Sequence, residues 1–363
     1  MKANAIAQSA PAEIKSKPLK IPGRRKKWTA LLFGGGIVII ASICAAALGS
    51  VTISPWEVFS SVWEGLVRPG GVLSESLEYK IVWDIRLPRA VMAVVAGMGL
   101  AVSGVAIQSV LRNPLASPFT VGVSSAAGFG AAMAVVLEFG ITSNPKTMVA
   151  SNAFFFSLVA VLFMYALASS KKGGPTMMVL AGIAVMYLFS AMTTLLQYLG
   201  TESELAQVVY WLFGSLTSAD WGRIAFVGGA LVISLPIMMW FAWDLNVMAA
   251  GDDVAESLGI RTSRIRLICV TASAFLTAAI ICMTGVIGFV CLVAPHMARL
   301  ILGSDHRFLF PGAAIIGALV LLSADTLGRT VVSPLEIPVG IVTSFVGAPL
   351  FLYLLLSSKQ DKG

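Results

Sequence analysis

Charged residues are so sparse in this chain that the places where they gather are the first chemistry to read. Only 12% of the 363 residues are charged, yet Asp252 to Arg266 holds six in fifteen: Asp252, Asp253, Glu256, Arg261, Arg264 and Arg266. A second group is arginine alone: Arg86 and Arg89 in RLPR, and Arg329 in DTLGRT. A guanidinium is permanently charged and forked toward carboxylates, so arginines so placed suit the gripping of acidic groups. Their other use is at a membrane interface, with the heads snorkelling into the lipid headgroups.

Motifs for covalent or metal chemistry are missing. The two histidines, His296 and His306, form no HExxH, and no GxxxxGK[ST] loop exists to cradle a nucleotide. The four cysteines (Cys44, Cys269, Cys282 and Cys291) fall inside apolar runs without a CxxC spacing, and read as small buried hydrophobes. If the chain moves something uphill, the energy has to come from a partner.

The elements that must position these residues are membrane helices. Hydrophobic residues make up 57% of the chain, far beyond a soluble domain, where about 25% charged residues are usual. Apolar runs of spanning length fall at approximately 29–51, 88–111, 119–138, 149–169, 176–198, 222–243, 264–283, 285–303, 310–328 and 338–357. The fold class is therefore all-α: a polytopic membrane protein of about ten transmembrane helices. Thr284-Gly285 is almost the only punctuation between the seventh and eighth. The first run, about 22 residues, is too long for a cleaved signal and reads as a helix that stays.

Ten spans place both termini on one side. Counting Lys and Arg gives 18 on that side and seven on the other, which favours N-in and C-in by the positive-inside rule. Residues 1–28 then form a cytoplasmic basic tail on anionic lipid, 29–358 the transmembrane domain, and 359–363 a second cytoplasmic tail. The eight tryptophans stand at span ends or in flanking loops, as interfacial belts require. Two outer segments exceed connector length: 52–87, and 199–221, where TESELAQVVYWLFG reads as an amphipathic helix lying on the membrane. Gly97 with Ala101 and Gly99 with Ser103 form small-xxx-small pairs that let helices approach closely. Glu138, Asp220, Asp244, Asp325 and Glu336 lie at or near span ends rather than at the midplane. This weighs mildly against an ion-gradient-driven secondary transporter, which stays as the alternative.

Six separated stretches, in order, carry a family resemblance. They are RLPRAVMAVVAGMGLAVSGVAIQSVLRNPLASPFTVGVSSAAGFGA (86–131), VLAGIAV (179–185), YWLFGSLTSADW (210–221), GDDVAESLGI (251–260), GVIGFVCLVAPHMARLILGSDHR (285–307) and DTLGRTVVSPLEIPVGIVTSFVGAPLFLYLL (325–355). From about Val51 to Leu355 the chain resembles the FecCD-type membrane permeases of type II ABC importers for iron–siderophores, cobalamin and haem. The resemblance implies a ten-helix subunit in a bacterial cell membrane, paired with an identical or paralogous permease. It also implies two cytoplasmic ATPase subunits, which hold the ATP and Mg, and an extracytoplasmic substrate-binding protein. No cofactor in this chain, no enzyme activity of its own and no nucleic-acid partner are expected. Ferric siderophore is the first expectation for substrate, with haem or cobalamin as alternatives.

Residue roles follow from the resemblance. Arg86, Arg89 and Arg329 align with arginines that grip acidic residues on the two lobes of the binding protein. The insert about 252–259 (Asp252, Asp253, Val254, Glu256, Leu258 and Gly259) aligns with the coupling helix seated in the ATPase, although a glutamate commonly follows the first glycine where Asp252 stands. Its residues also read locally as a self-capped helix: Asp253 and Glu256 spaced as a capping box, Gly259 as terminator, Val254 and Leu258 as one apolar face. A solvated loop is the plainer reading of its arginines. Pro175 and Thr176 align with the cytoplasmic gate, or simply start a helix. Glu336, bracketed by Pro334 and Pro338, falls in a broken outer segment beside the pathway. Asn113, Pro114 and Pro118 make a sharp turn or a rigid elbow, with Asn113 available to satisfy freed backbone groups. Pro295 and His296 read as structural.

Overall fold

Alternating hydropathy and punctuation by Gly and Pro produce fifteen α-helices in the computed structural model, which describes residues 23–49, 53–67, 76–169 and 174–359. In chain order they are α1 (Arg24–Ala47), α2 (Pro55–Val67), α3 (Leu77–Lys80), α4 (Leu87–Val110), α5 (Val123–Val136), α6 (Pro145–Ser169), α7 (Pro175–Leu199) and α8 (Glu202–Leu212). Then come α9 (Trp221–Trp240), α10 (Ala242–Met248), α11 (Asp252–Ser257), α12 (Thr262–Thr284), α13 (Val290–Leu302), α14 (His306–Thr330) and α15 (Val339–Lys359). A π turn, Ile81–Arg86, joins α3 to α4 without a break. No strand occurs among the described residues.

Among the described residues seven helices are long and apolar enough to cross a membrane, and three shorter apolar ones, Val123–Val136, Val290–Leu302 and Val339–Leu352, complete the ten expected from sequence. The eighth run needs a correction. Its helix starts at Val290, because Gly285 (φ +69°) ends α12 and Phe289 also takes a positive φ of +64°. Hydropathy counts apolar residues whatever their backbone does, so it cannot register this break. Non-helical backbone at such depth is tolerated where protein covers it. Here the Ser215 N–H donates to the Thr284 carbonyl at 2.7 Å, and Gly285 lies against the Trp211 carbonyl with no room for a side chain. The basic tail falls mostly outside the described residues; its last part, from Arg24, is already helical in α1.

The core lies around α4, which is buried on nearly every side and packs against α14 and α12. The two small-residue pairs explain this placement. Gly97 and Ala101 face Gly317 of α14 so closely that a Cβ on Gly97 would collide with the Gly317 carbonyl. Gly99 faces Leu276 and Ile280 of α12. One turn on, Ser103 Oγ donates to the Ser273 carbonyl and Ser273 Oγ returns the bond to the Ser103 carbonyl, at 3.2 and 3.0 Å. Peripheral helices behave oppositely: α1 exposes Leu32, Phe33, Ile39 and Ile40, a surface suited to lipid rather than water.

The outer amphipathic helix is present as α8, opened by a full capping box. Thr201 Oγ1 accepts from the Glu204 N–H at 3.4 Å and the Glu204 carboxylate accepts from the Thr201 N–H at 2.7 Å.

Replacing Gly97 by Val wedges α4 from α14 and costs about 1–3 kcal/mol, as overpacking does. Unfolding in mixed detergent, followed by tryptophan fluorescence, checks this against Val232→Ala on an exposed face of α9; equal midpoints would contradict the close packing.

Candidate functional site

Chemistry-bearing side chains collect at the two ends of the α4–α14 pair, roughly 30 Å apart by helix rise. Because α4 and α14 run antiparallel, Arg89 near the start of α4 meets Asp325 and Arg329 near the end of α14. At the other end Ser109 meets His306.

The arginine end is a closed network. Asp325, whose side chain has no solvent exposure, receives Arg89 Nε on Oδ1 at 2.9 Å and Arg329 Nε on Oδ2 at 3.1 Å. Arg89 also donates through Nη1 to Glu336 at 2.7 Å. The remaining donors go to the last turn of α1, whose terminal carbonyls lack helical partners. Arg86 Nη1 reaches the carbonyls of Ala46 and Ala47 at 3.1 and 2.9 Å. Arg329 reaches those of Leu48 and Ala45 at 3.2 and 3.0 Å. The helix dipole also favours cations there. The three arginines are only 6, 8 and 8% exposed, so they are structural ties as well as charges. A cavity of about 250 Å³ opens among them, lined by Gly49, Ile85, Arg86, Arg89, Arg329 and Glu336. Three guanidiniums and the Glu336 carboxylate thus border one cavity.

The opposite end carries α11. It begins after Gly251 (φ +126°) and has no side-chain cap, so the expected Asp253–Glu256 capping box does not form. The reason is register: the Ala255 N–H already bonds the Gly251 carbonyl at 3.1 Å, which puts Asp253 inside the first turn. Glu256 instead accepts from Thr262 Oγ1 at 2.7 Å. Asp252 is held by Arg266 at 3.0 Å and by Arg112 at 3.5 Å, and Arg266 Nε also donates to the Val110 carbonyl that ends α4. The terminator does match expectation. Gly259 takes φ +83°, its N–H bonds Glu256 O, and the Ile260 N–H bonds Ala255 O, a Schellman motif. Ala255 is buried, while Val254 and Leu258 are 46 and 67% exposed on a helix pinned from beneath.

The other residues singled out by sequence have their own local settings. Asn113 Oδ1 accepts from the Leu115 N–H at 2.9 Å, satisfying the backbone as expected beside Pro114. The Pro118 carbonyl accepts from the Val123 N–H that opens α5. Pro295 is buried in α13, and His296 lines a cavity shared with Asn113 and Pro114. Pro175 is the first residue of α7 behind the N-cap Gly174, and Thr176 is exposed with no capping bond. Glu336 does not join them. It pairs with Arg89 at the far end of the bundle, so the three gate or pathway residues divide between the two ends.

Sequence reading missed Asp325 as the hub, although its i,i+4 spacing to Arg329 was a readable signal. It also missed the chain Asn246–His306–Ser109, with His306 Nδ1 2.6 Å from Asn246 Oδ1 and Nε2 2.5 Å from Ser109 Oγ. Asp305, which caps α14, is bonded by Arg307 and Asn246, and these hold its carboxyl well below the usual carboxylate range.

This architecture is that of a polytopic all-α ABC permease. A metal-chelate type ABC transporter solved in an inward-facing conformation aligns with TM-score 0.78 and 27% identity, covering 91% of this chain and 99% of that one. Residues 37–357 match the FecCD transport family, and the chain belongs to it. The Fe(3+)-citrate import system permease protein YfmE of Bacillus subtilis is 36% identical, covering 92% of this chain and 96% of its own length. The hemin transport system permease protein HmuU of Yersinia pestis is 35% identical, covering 90% of this chain and 95% of its own length. The chain is thus a membrane component of the FecCD transport family, similar over nearly its whole length to permease proteins of import systems.

Asp325→Asn strands two buried guanidiniums and costs about 3–5 kcal/mol, whereas Glu336→Gln, at a half-exposed site, costs less than about 1 kcal/mol. Thermal unfolding of the purified variants checks the ranking; equal losses would remove Asp325 from the hub.

Proposed function

We propose that this chain carries an iron–siderophore or a related metal chelate across the cell membrane of a bacterium as half of a permease pair. The second half is an identical or paralogous permease, two cytoplasmic ATPase subunits drive the pair, and a binding protein delivers substrate from outside. Both termini and α11 face the cytoplasm, a reading supported by the excess of Lys and Arg on that side. Because the relatives are ABC import permeases, a gradient-driven carrier has no support among them.

The observation that carries this reading is α11: a helix shorter than two turns, closed by a Schellman motif, tied down by Asp252, and presenting Val254 and Leu258 outward. Rigid short helices with paired apolar anchors suit a groove on another protein. Seated in an ATPase, α11 moves with it. Its tie to Arg266, and through Arg266 to the end of α4, passes that motion to the central helix. ATP binding and hydrolysis on the partners then alternate access to a cavity between the permeases, with Pro175 and Thr176 at the inner mouth and Glu336 at the outer.

Docking of the binding protein falls to the Arg86, Arg89 and Arg329 cluster. Its three guanidiniums bordering a cavity suit acidic residues on the binding protein. Charge reversal at these positions would break the fold as well, so binding itself is the cleaner readout. Affinity of the assembled permease for its binding protein falls several-fold as ionic strength is raised; salt-independent affinity would leave the cluster a purely structural role.

Cells lacking and regaining this chain take up a labelled ferric siderophore in preference to haem, cobalamin or ferric citrate. Leu258→Asp abolishes both that uptake and ATPase copurification at unchanged membrane abundance. Preference for another chelate replaces the substrate proposal, while intact copurification with Leu258→Asp removes α11 from the ATPase contact.

A further inference from the structure

Beside α11, between the end of α4, α10 and the α13–α14 junction, lies a cavity of about 410 Å³, within the size range of small-molecule sites. Its walls include Gln108, Ser109, Arg112, His296, Arg299 and His306, and no carboxylate lines it among the described residues. Both histidines of the chain are therefore here, with two arginines.

Several of these groups are unfinished. Arg299 is half-buried, yet among the described residues its guanidinium makes no ion pair or hydrogen bond. A charge withdrawn from water without a partner is costly, and the acids next to or paired with the lining residues His306 and Arg112 are committed elsewhere. Asp305 is taken by Arg307 and Asn246, and Asp252 by Arg266 and Arg112. The His296 ring also has no hydrogen-bond partner among the described residues, whereas both nitrogens of His306 are occupied by Asn246 and Ser109. Gln108 is 3% exposed; its Nε2 donates to the Cys291 carbonyl at 3.3 Å, and its Oε1 has no partner. Turning the amide over gives no escape, because an oxygen would then face the Cys291 carbonyl. Oε1 is sealed off from the cavity, which therefore asks for negative charge beside Arg299, Arg112 and His296.

We propose that this cavity binds a small multivalent oxyanion, with phosphate as the fitting chemistry. Its oxygens answer Arg299, Arg112 and His296 together, which a single chloride cannot, and a metal cation is repelled by the arginines. Arg112 is shared with Asp252 of α11, so occupancy bears directly on that helix. The site stands on the cavity alone and holds whatever substrate the chain transports. The phosphate group has two sources, free phosphate or the headgroup of phosphatidic acid.

The test is thermal unfolding of the full chain in phosphatidylcholine nanodiscs at neutral pH, with inorganic phosphate, sulfate or chloride at matched ionic strength. A further arm carries phosphatidic acid and no free phosphate. Phosphate and sulfate each give a saturable rise in Tm, and chloride gives none. Arg299→Gln abolishes the response and His296→Gln weakens it several-fold, while both unliganded variants keep a midpoint near that of the parent chain. Stabilisation by phosphatidic acid alone, with the same dependence on Arg299 and His296, assigns the site to a lipid headgroup. An equal response to all three salts, a response that survives Arg299→Gln, or no response to either phosphate source overturns the proposal. If Arg299→Gln does not fold, an undiminished response in His296→Gln overturns it.

Discussion

Burying one carboxylate completely is expensive unless every oxygen is answered, and Asp325 is answered twice, by Arg89 and by Arg329. The interaction locks the start of α4 to the end of α14. It also obliges both helices to run antiparallel at the spacing that Gly97 and Gly317 permit. Because the spare donors of Arg329 and those of Arg86 reach the last carbonyls of α1, the first span is drawn onto the same knot. Three helices distant in sequence are thus indexed at one end by charge, while along their length small residues hold α4 to α14 and reciprocal serine bonds hold α4 to α12.

From that fixed end, α4 acts as the axis of the subunit. Its far end accepts Arg266 on the Val110 carbonyl, and Arg266 in turn holds Asp252 of α11. A displacement of α11 therefore reaches the most buried helix through one side chain. The peripheral helices α7 and α9 present exposed apolar faces suited to lipid or a second subunit.

Much of this was legible in the residues. Ten apolar runs gave ten apolar helices because hydropathy and length respond to the same membrane thickness. The small-residue pairs on α4 pointed correctly to close approach, since only small side chains permit it. The breaks inside the membrane were not legible: nothing in GVIGFV announces that helix stops at Gly285 and resumes at Val290, because that depends on carbonyls of a different segment. Nor were the arginines' partners, since Arg89 and Asp325 stand 236 residues apart. The capping box is the sharpest case. Thr201 with Glu204 forms one, whereas Asp253 with Glu256 does not, although both pairs have the same spacing. At α11 the tertiary pull of Arg266 on Asp252 and of Thr262 on Glu256 decides where the helix begins.

The two ends differ in how complete they are. At the Asp325 end the guanidiniums described find carboxylates or carbonyls. At the α11 end Arg299 and His296 face a cavity without an anion, Gln108 keeps an unanswered acceptor, and Val254 and Leu258 stand in the open. A chain that satisfies its buried groups so fully at one end gains nothing from leaving them unpaired at the other, unless something outside the chain completes them. The apolar pair on α11 calls for a protein surface, and the polar cavity beside it for a small charged group. Arg112, which touches Asp252 on one side and lines the cavity on the other, makes these two completions interdependent.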